Sequence, residues 1–250
     1  MNFPDISANT VIGRALRLPL KLIPANAEVR VIRGPLRGKR WIAGSSNHGC
    51  WLGRAKSGRQ SAFSAALKRG DVVYDLGANV GFYSILASLR VGPEGRVFSF
   101  EPDPRNLVLL HRHLKLNGVA NCAVLDVAVS CSDGTANFQV GSNHSVGHLT
   151  TESLNTLSVR TVTLDGLVAS GRLPPPNVVK CDIEGGEYDA LRGASETLTE
   201  HAPTIFLRTH GPEVHERCCT LLTALHYQLT PLDARSLSRA REVVAAHQAR

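Results

Sequence analysis

The chain contains no Cys-x-x-Cys pair, no Gly-x-Gly-x-x-Gly turn and no Asn/Asp-Pro-Pro-aromatic sequence. Each absence removes a class of function. Its six cysteines, at positions 50, 122, 131, 181, 218 and 219, have no metal-ligand spacing. Cys122 and Cys181 lie in apolar runs, so they read as free thiols of a reducing, cytoplasmic setting. Without the glycine triplet, a nicotinamide dinucleotide site is disfavoured. Aromatic residues are 5% of the chain and do not interleave with its basic groups, so a nucleic-acid surface is disfavoured despite a net charge of +7. Long apolar runs are missing too. The stretch Val11 to Leu22 is interrupted by Arg14, Arg17, Pro19 and Lys21, too broken for an export signal or a membrane span. It reads as a short basic helix packed on the domain, with peripheral membrane contact as the alternative.

What is present is an alternation of strands and helices. Apolar residues make up 43% of the 250, enough for one large core. Residues 1–60 read as an N-terminal extension of helix, short hairpin (Glu28–Ile32, Lys39–Ile42) and loop. Residues 61–233 read as the main domain and 234–250 as a tail. In the domain, Val72–Tyr74, Val97–Phe100, Ala123–Leu125, Val178–Cys181, Thr204–Leu207 and Tyr227–Leu229 read as strands. Helices are expected over Gly81–Leu89, Asp103–Leu116, Tyr188–Leu198 and Pro212–Leu225. The helix from Asp103 has a capping acid with Pro104 in its first turn and stops at Asn117-Gly118. Over residues 128–163 the pattern changes to edge-like or antiparallel strands around a loop with His144 and His148, read as exposed. The alternation predicts an α/β fold with a mainly parallel sheet covered on both faces, its ligand beyond the strands' C-terminal ends.

Asp75-Leu76-Gly77-Ala78-Asn79-Val80-Gly81 joins the first parallel strand to its helix. Gly77 permits a sharp turn close to a ligand, and Gly81 lets the helix start beside it. Free N–H groups there suit a carboxylate. Glu101, ending the next strand, can accept from ribose hydroxyls. Asp-x-Gly-x-x-x-Gly followed by that acid fits S-adenosylmethionine, with Asp75, Gly77, Ala78, Asn79, Gly81 and Glu101 as its contacts. Asp126 and Val127, past the third strand, are expected at the adenine.

These segments resemble the FkbM methyltransferase family. Asp75–Gly81 resembles its Asp-x-Gly-Ala-Asn-x-Gly, and Phe100-Glu101-Pro102 its second-strand motif. Lys180-Cys181-Asp182-Ile183-Glu184-Gly185-Gly186-Glu187, then Leu191-Arg192-Gly193-Ala194, resembles its Lys-x-Asp-x-Glu-Gly-x-Glu signature. The resemblance runs from about Gly70 to about Gly211. It implies a Rossmann-like class I methyltransferase with about seven strands, the last antiparallel, and the ends bearing Gly77 and Glu101 adjacent. It also implies O-methylation of a hydroxyl on a small molecule or glycan. The chain departs from the family pattern in two places: basic Arg54, Lys56 and Arg59 follow Trp51-Leu52-Gly53, where an acid is often found, and Arg208 stands where a small residue is usual.

Methyl transfer needs an aligned acceptor oxygen and a place for its proton. Lys180, Asp182 and Glu184 at the fourth strand's end are the candidates, with Asp182 as base or positioner and Lys180 as partner to either acid. His210, after the fifth strand, is a candidate base. His215 reads as a surface or capping residue. No metal is assigned, although Asp182, Glu184 and His210 form the one geometrically sensible ligand set. Nucleic-acid methylation and a non-catalytic, cofactor-binding interaction protein are the competing functions.

Overall fold

The computed structural model describes residues 22–46, 49–53, 57–141, 147–152 and 156–248. Apart from Leu22, the segment Val11 to Leu22 lies outside them, as do Arg54, Lys56 and His144. Among the described residues, no helix is long and apolar enough to cross a membrane, and all six cysteines are free thiols.

Strands β1 (Glu28–Arg30) and β2 (Arg40–Ile42) pair antiparallel as the expected hairpin. Helices α1 (Gly49–Leu52) and α2 (Ser57–Ala66) lead to β3 (Val72–Leu76), α3 (Phe82–Val91), β4 (Arg96–Phe100), α4 (Pro104–Leu116) and β5 (Cys122–Leu125). An insertion then supplies β6 (Ala128–Val129), β7 (Gly134–Gln139), β8 (His148–Thr150) and β9 (Thr156–Val162). After α5 (Leu164–Ala169) come β10 (Val178–Cys181), α6 (Glu187–Arg192), α7 (Ser195–His201), β11 (Thr204–Arg208), α8 (Pro212–Ala224), β12 (Tyr227–Pro231) and β13 (Glu242–His247).

Seven strands form the central sheet in the order β12-β13-β11-β10-β3-β4-β5. β10 is buried at every position, as a strand covered on both faces requires. From β3 the chain winds outward through β4 to β5, then returns to β10 on the other side. That reversal opens a crevice above the C-terminal ends of β3 and β10. The insertion forms its own sheet, β6-β9-β7-β8, with β7 antiparallel to both neighbours.

Two readings are corrected. The tail 234–250 contains β13, which lies between β11 and β12 and is antiparallel to both. Its sequence, Glu-Val-Val-Ala-Ala-His, is short and alanine-rich, with weak strand propensity. Burial of Val243 and Ala245 between two paired strands is what makes it a strand. β12, read as the last strand, therefore runs with the parallel set, and the antiparallel strand is β13. The helix expected over Tyr188–Leu198 is broken into α6 and α7 at Gly193, which caps α6 and packs on the Ser130 backbone, where a Cβ would meet the Ser130 carbonyl oxygen. The capped start of α4 is as expected, with Asp103 accepting from the Arg105 N–H.

The N-terminal hairpin is riveted to the domain through His113 of α4. Its Nε2 accepts the Ile42 N–H at 3.0 Å, its Nδ1 donates to the Val80 carbonyl at 2.7 Å, and its ring stacks on Trp41 with centroids 3.9 Å apart. Both nitrogens are used by a neutral ring, and burial pushes His113 down to about 4. The unfolded chain takes up this proton near pH 6.5 and the folded chain only near 4. The contribution is complete above 6.5 and lost as pH falls through 4, a slope of about 1.4 kcal/mol per pH unit between them. In urea unfolding from about pH 7 to about pH 4.5, the slope of stability against pH is expected to be flatter in His113→Gln than in the wild type by that amount. Equal slopes would refute the neutral, locked histidine.

Candidate functional site

The turn after β3 is the floor of the crevice. Gly77 and Ala78 both donate to the Phe100 carbonyl at 3.0 Å, which sets the turn beside the end of β4 and next to Glu101. Gly77 has φ 73° and no room for a side chain: a Cβ would collide with the Asp182 carbonyl oxygen at the end of β10. Gly77, Ala78 and Asn79 line the cavity. Gly81 does not. It caps α3 with φ 96° and packs against Leu110.

Asp75 is also below the wall. Register places it between Lys180 of β10 and Ser99 of β4. Its Oδ1 is 3.0 Å from Lys180 Nζ, and its Oδ2 accepts from Ser84 at 2.7 Å. Lys180 Nζ also donates to the carbonyls of Leu76 at 3.0 Å and Gly77 at 2.7 Å. Its protons are therefore committed to Asp75 and the turn. Lys180 touches the cavity, but the structure pairs it with Asp75, not with Asp182 or Glu184 by hydrogen bond. Burial acts to lower its pKa, and the nearby Asp75 and Asp182 raise it overall.

Glu101 is buried at the cavity wall. Its Oε2 accepts from the Asn79 N–H at 2.7 Å, while Oε1 accepts from the Asp103 N–H at 2.9 Å and Asn106 Nδ2 at 3.2 Å. Burial raises its pKa despite these bonds. With two acceptor positions on each carboxylate oxygen, Oε2 retains one for a ligand. Farther along, Val127, Ala128 and Val129 form an apolar wall, roofed by Phe138, Gly147 and Leu149 of the insertion. Asp126, expected beside Val127, is exposed and not part of that wall.

At the other end, β10 and β11 bring together the acids and the histidine. Asp182 Oδ2 is 2.8 Å from Arg59 Nη2, and its Oδ1 is 3.5 Å from Arg208 Nη1 and 3.7 Å from His210 Nε2. Burial alone would raise the Asp182 pKa, but Lys180, then Arg59 and Arg208, hold it down to about 2. An acid so weakly basic suits hydroxyl positioning better than proton abstraction. Glu184 stands at φ 55°, a left-handed conformation unusual for a side chain of its size, and its Oε2 is 3.3 Å from His210 Nε2. Its pKa is raised, mainly by burial. His210 Nδ1 is 2.8 Å from Glu187 Oε1. Burial lowers the His210 pKa, but Glu187, Glu184 and Asp182 outweigh it and raise the net value. His215 is not on the surface: it is buried, bonded to Thr209 and the Leu237 carbonyl.

Several site residues carry no mark in the sequence. Arg59, noted only as a basic departure, is buried in α2 and joins Tyr83 at 2.8 Å, Asp182, and Glu242 of β13 at 3.4 Å. No local pattern distinguishes Arg59 or Glu242, because their partners are far away in sequence. Phe138 is equally unmarked. Glu187 does carry a signal, as the last acid of the Lys180–Glu187 signature.

Donor atoms of Asp182, Glu184 and His210 lie within 4.8 Å of one another, close enough for a divalent cation to use. Arg59 and Arg208 already neutralise Asp182, however, which works against a further positive charge there.

The family model described as "Methyltransferase FkbM domain" matches residues 75–229, more than half of the chain. Hexuronic acid methyltransferase AglP of Haloferax volcanii is 29% identical over 151 residues, 59% of this chain and 61% of that protein. 2-O-methyltransferase NoeI of Sinorhizobium fredii is 24% identical over 151 residues, 53% of this chain and 61% of that protein. The chain thus spans about three fifths of the length of these curated relatives. The crystal structure of precorrin-6y C5,15-methyltransferase from Geobacter metallireducens superposes with a TM-score of 0.51 at 17% identity, over 78% of this chain and 90% of that one. The seven-stranded sheet is that of the class I methyltransferases.

Two outcomes are expected. Glu101→Ala should weaken S-adenosylmethionine by roughly 10- to 150-fold in titration calorimetry, the loss of about 1.5–3 kcal/mol of charge-assisted hydrogen bonding, with circular dichroism checking the fold. Unchanged affinity would move the ribose elsewhere. Turnover should persist in chelator without added cation. Its abolition, with recovery on adding magnesium or manganese, would make Asp182, Glu184 and His210 ligands.

Proposed function

The chain belongs to the FkbM methyltransferase family, and on that premise we propose that it transfers a methyl group from S-adenosylmethionine to a hydroxyl of a glycan or small-molecule acceptor. One observation carries this reading. The glycine turn and Glu101, a cradle for the cofactor, open into the same cavity as Asp182 and Glu184, with His210 beside them.

When bound, S-adenosylmethionine supplies a methyl group activated by a sulfonium. The chain's own groups do the rest. The turn Gly77–Asn79 and the spare acceptor position of Glu101 hold the donor, and the apolar wall of Val127 and Ala128 takes the adenine. Asp182, held ionised by Arg59, accepts a hydrogen bond from the acceptor hydroxyl and sets its direction. His210 receives the proton through Glu184, whose Oε2 is 3.3 Å from its Nε2. Burial of the crevice beneath the insertion excludes water from a reaction in which charge is neutralised. The relatives' names, a hexuronic acid methyltransferase and a 2-O-methyltransferase, support a sugar hydroxyl as acceptor. Nucleic acid is disfavoured: Asp182-Ile183-Glu184 stands where an Asn/Asp-Pro-Pro-aromatic sequence would be needed.

With methyl-labelled S-adenosylmethionine and extracts of glycans, polar metabolites, lipids, RNA or protein, label is expected in the glycan or polar-metabolite fraction. Label in RNA alone would overturn the proposal. In the fraction that takes label, Asp182→Asn should lower turnover by about 100-fold, the cost of a misplaced reactant, while cofactor affinity stays within a few-fold of wild type.

A further inference from the structure

We infer that Glu187 is the positioning residue of this site: its buried carboxylate locks His210 in the tautomer that turns a bare Nε2 toward Glu184 and Asp182 of the cavity wall, and it fixes the turn that carries Glu184. The role, though not the pairing itself, rests on the O-methylation reading.

Glu187 opens α6 and is fully buried. A single oxygen, Oε1, accepts from the Ile183 N–H at 3.1 Å, the Gly185 N–H at 3.1 Å and His210 Nδ1 at 2.8 Å. Two of those partners are backbone donors, so Oε1 is an acceptor there, and the third bond requires the proton on Nδ1. Nε2 is then the nitrogen with the free lone pair. It is buried and makes no hydrogen bond among the described residues, lying 3.3 Å from Glu184 Oε2 and 3.7 Å from Asp182 Oδ1. A carboxylate behind Nδ1–H with Nε2 left bare is the arrangement by which a histidine serves as an oriented base, here toward the carboxylates of Glu184 and Asp182.

The same oxygen shapes the turn. Ile183 and Gly185 flank Glu184, and their N–H groups converge on Glu187, which holds Glu184 in its left-handed conformation with its carboxylate toward His210. One buried side chain thereby orders Glu184 on the cavity wall and His210 behind it. The charged groups facing His210 are Glu187, Glu184 and Asp182; Arg208 shares Asp182 Oδ1 with His210, and Arg59 holds the other oxygen, Oδ2. In the transfer, the acceptor oxygen forms the new O–C bond, the C–S bond breaks with its electron pair going to sulfur, and the hydroxyl proton passes through the Glu184 carboxylate, which lines the cavity, to Nε2 behind it. The imidazolium so formed sits between Glu187 and Glu184.

Nitrogen-resolved NMR of histidine in the full chain, at alkaline pH where His210 is neutral, tests the pairing directly. The wild type is expected to carry the proton on Nδ1. A wild-type His210 protonated on Nε2 overturns the inference without any variant. Glu187→Met, similar in length but without an acceptor, should lose that tautomer preference and transfer label to the polar glycan extract about 100-fold more slowly, with cofactor affinity within a few-fold of wild type. Glu187→Gln, which keeps an acceptor oxygen, should restore the tautomer and part of the rate. A folded Glu187→Met with wild-type tautomer and rate also overturns it. Should the wild type show the stated tautomer yet label no hydroxyl-bearing fraction, the O-methylation reading fails and takes the positioning role with it.

Discussion

The buried contact between Asp75 and Lys180 organises the molecule around it. It joins neighbouring strands at 3.0 Å, and the same ammonium caps the carbonyls of Leu76 and Gly77, the last groups of β3 before the turn. A strand end aimed into a crevice leaves carbonyls that water would otherwise solvate. Lys180 satisfies them from below and leaves the opposite side of the turn open. Removing one partner would strand a charge in the interior, a cost of about 3–5 kcal/mol. Neither residue has to touch a ligand to be indispensable to the site's shape.

The second layer is also electrostatic, and it draws on both ends of the chain. Arg59 from α2 bridges Asp182 and Glu242 of β13, and it lies over the ring of Tyr83, whose hydroxyl accepts from its Nε. The N-terminal region and the final strand are therefore parts of the crevice and not appendages. The consequence is chemical: a carboxylate gripped by an arginine remains ionised and directional but is a poor proton acceptor. In the proposed reaction, that separates the labours of Asp182 and His210, two groups that lie 3.7 Å apart.

The insertion completes the enclosure. Phe138 and Leu149 of its sheet cover the apolar wall of Val127 and Ala128, and Gly147 is small because a Cβ there would press on the Phe138 ring. An apolar slot at one end and a charged cluster at the other match a ligand with an aromatic base at one end and a charged centre at the other.

Read along the chain alone, the residues suffice for the parallel α/β class, the glycine turn after the first strand, the acid at the end of the second and the acidic end of the fourth. These are local matters: periodicity, a helix cap at Asp103, a turn that only Gly77 can make, and motifs whose residues are close in the chain. Glu187 also stands within a legible signature, which does not show what that acid holds. Everything else waited on the folded chain. Folding set Asp75 beneath the turn and outside the cavity lining, and it paired Lys180, which touches the cavity, with Asp75. It left Asp126 outside the cavity wall and His215 inside the core, and it made a strand of Glu242–His247 by burying it between two others. It brought Arg59 to Asp182 across 123 positions of sequence. Side-chain direction, burial and long-range ion pairing depend on what the completed fold sets opposite each residue, and no window along the chain contains that information.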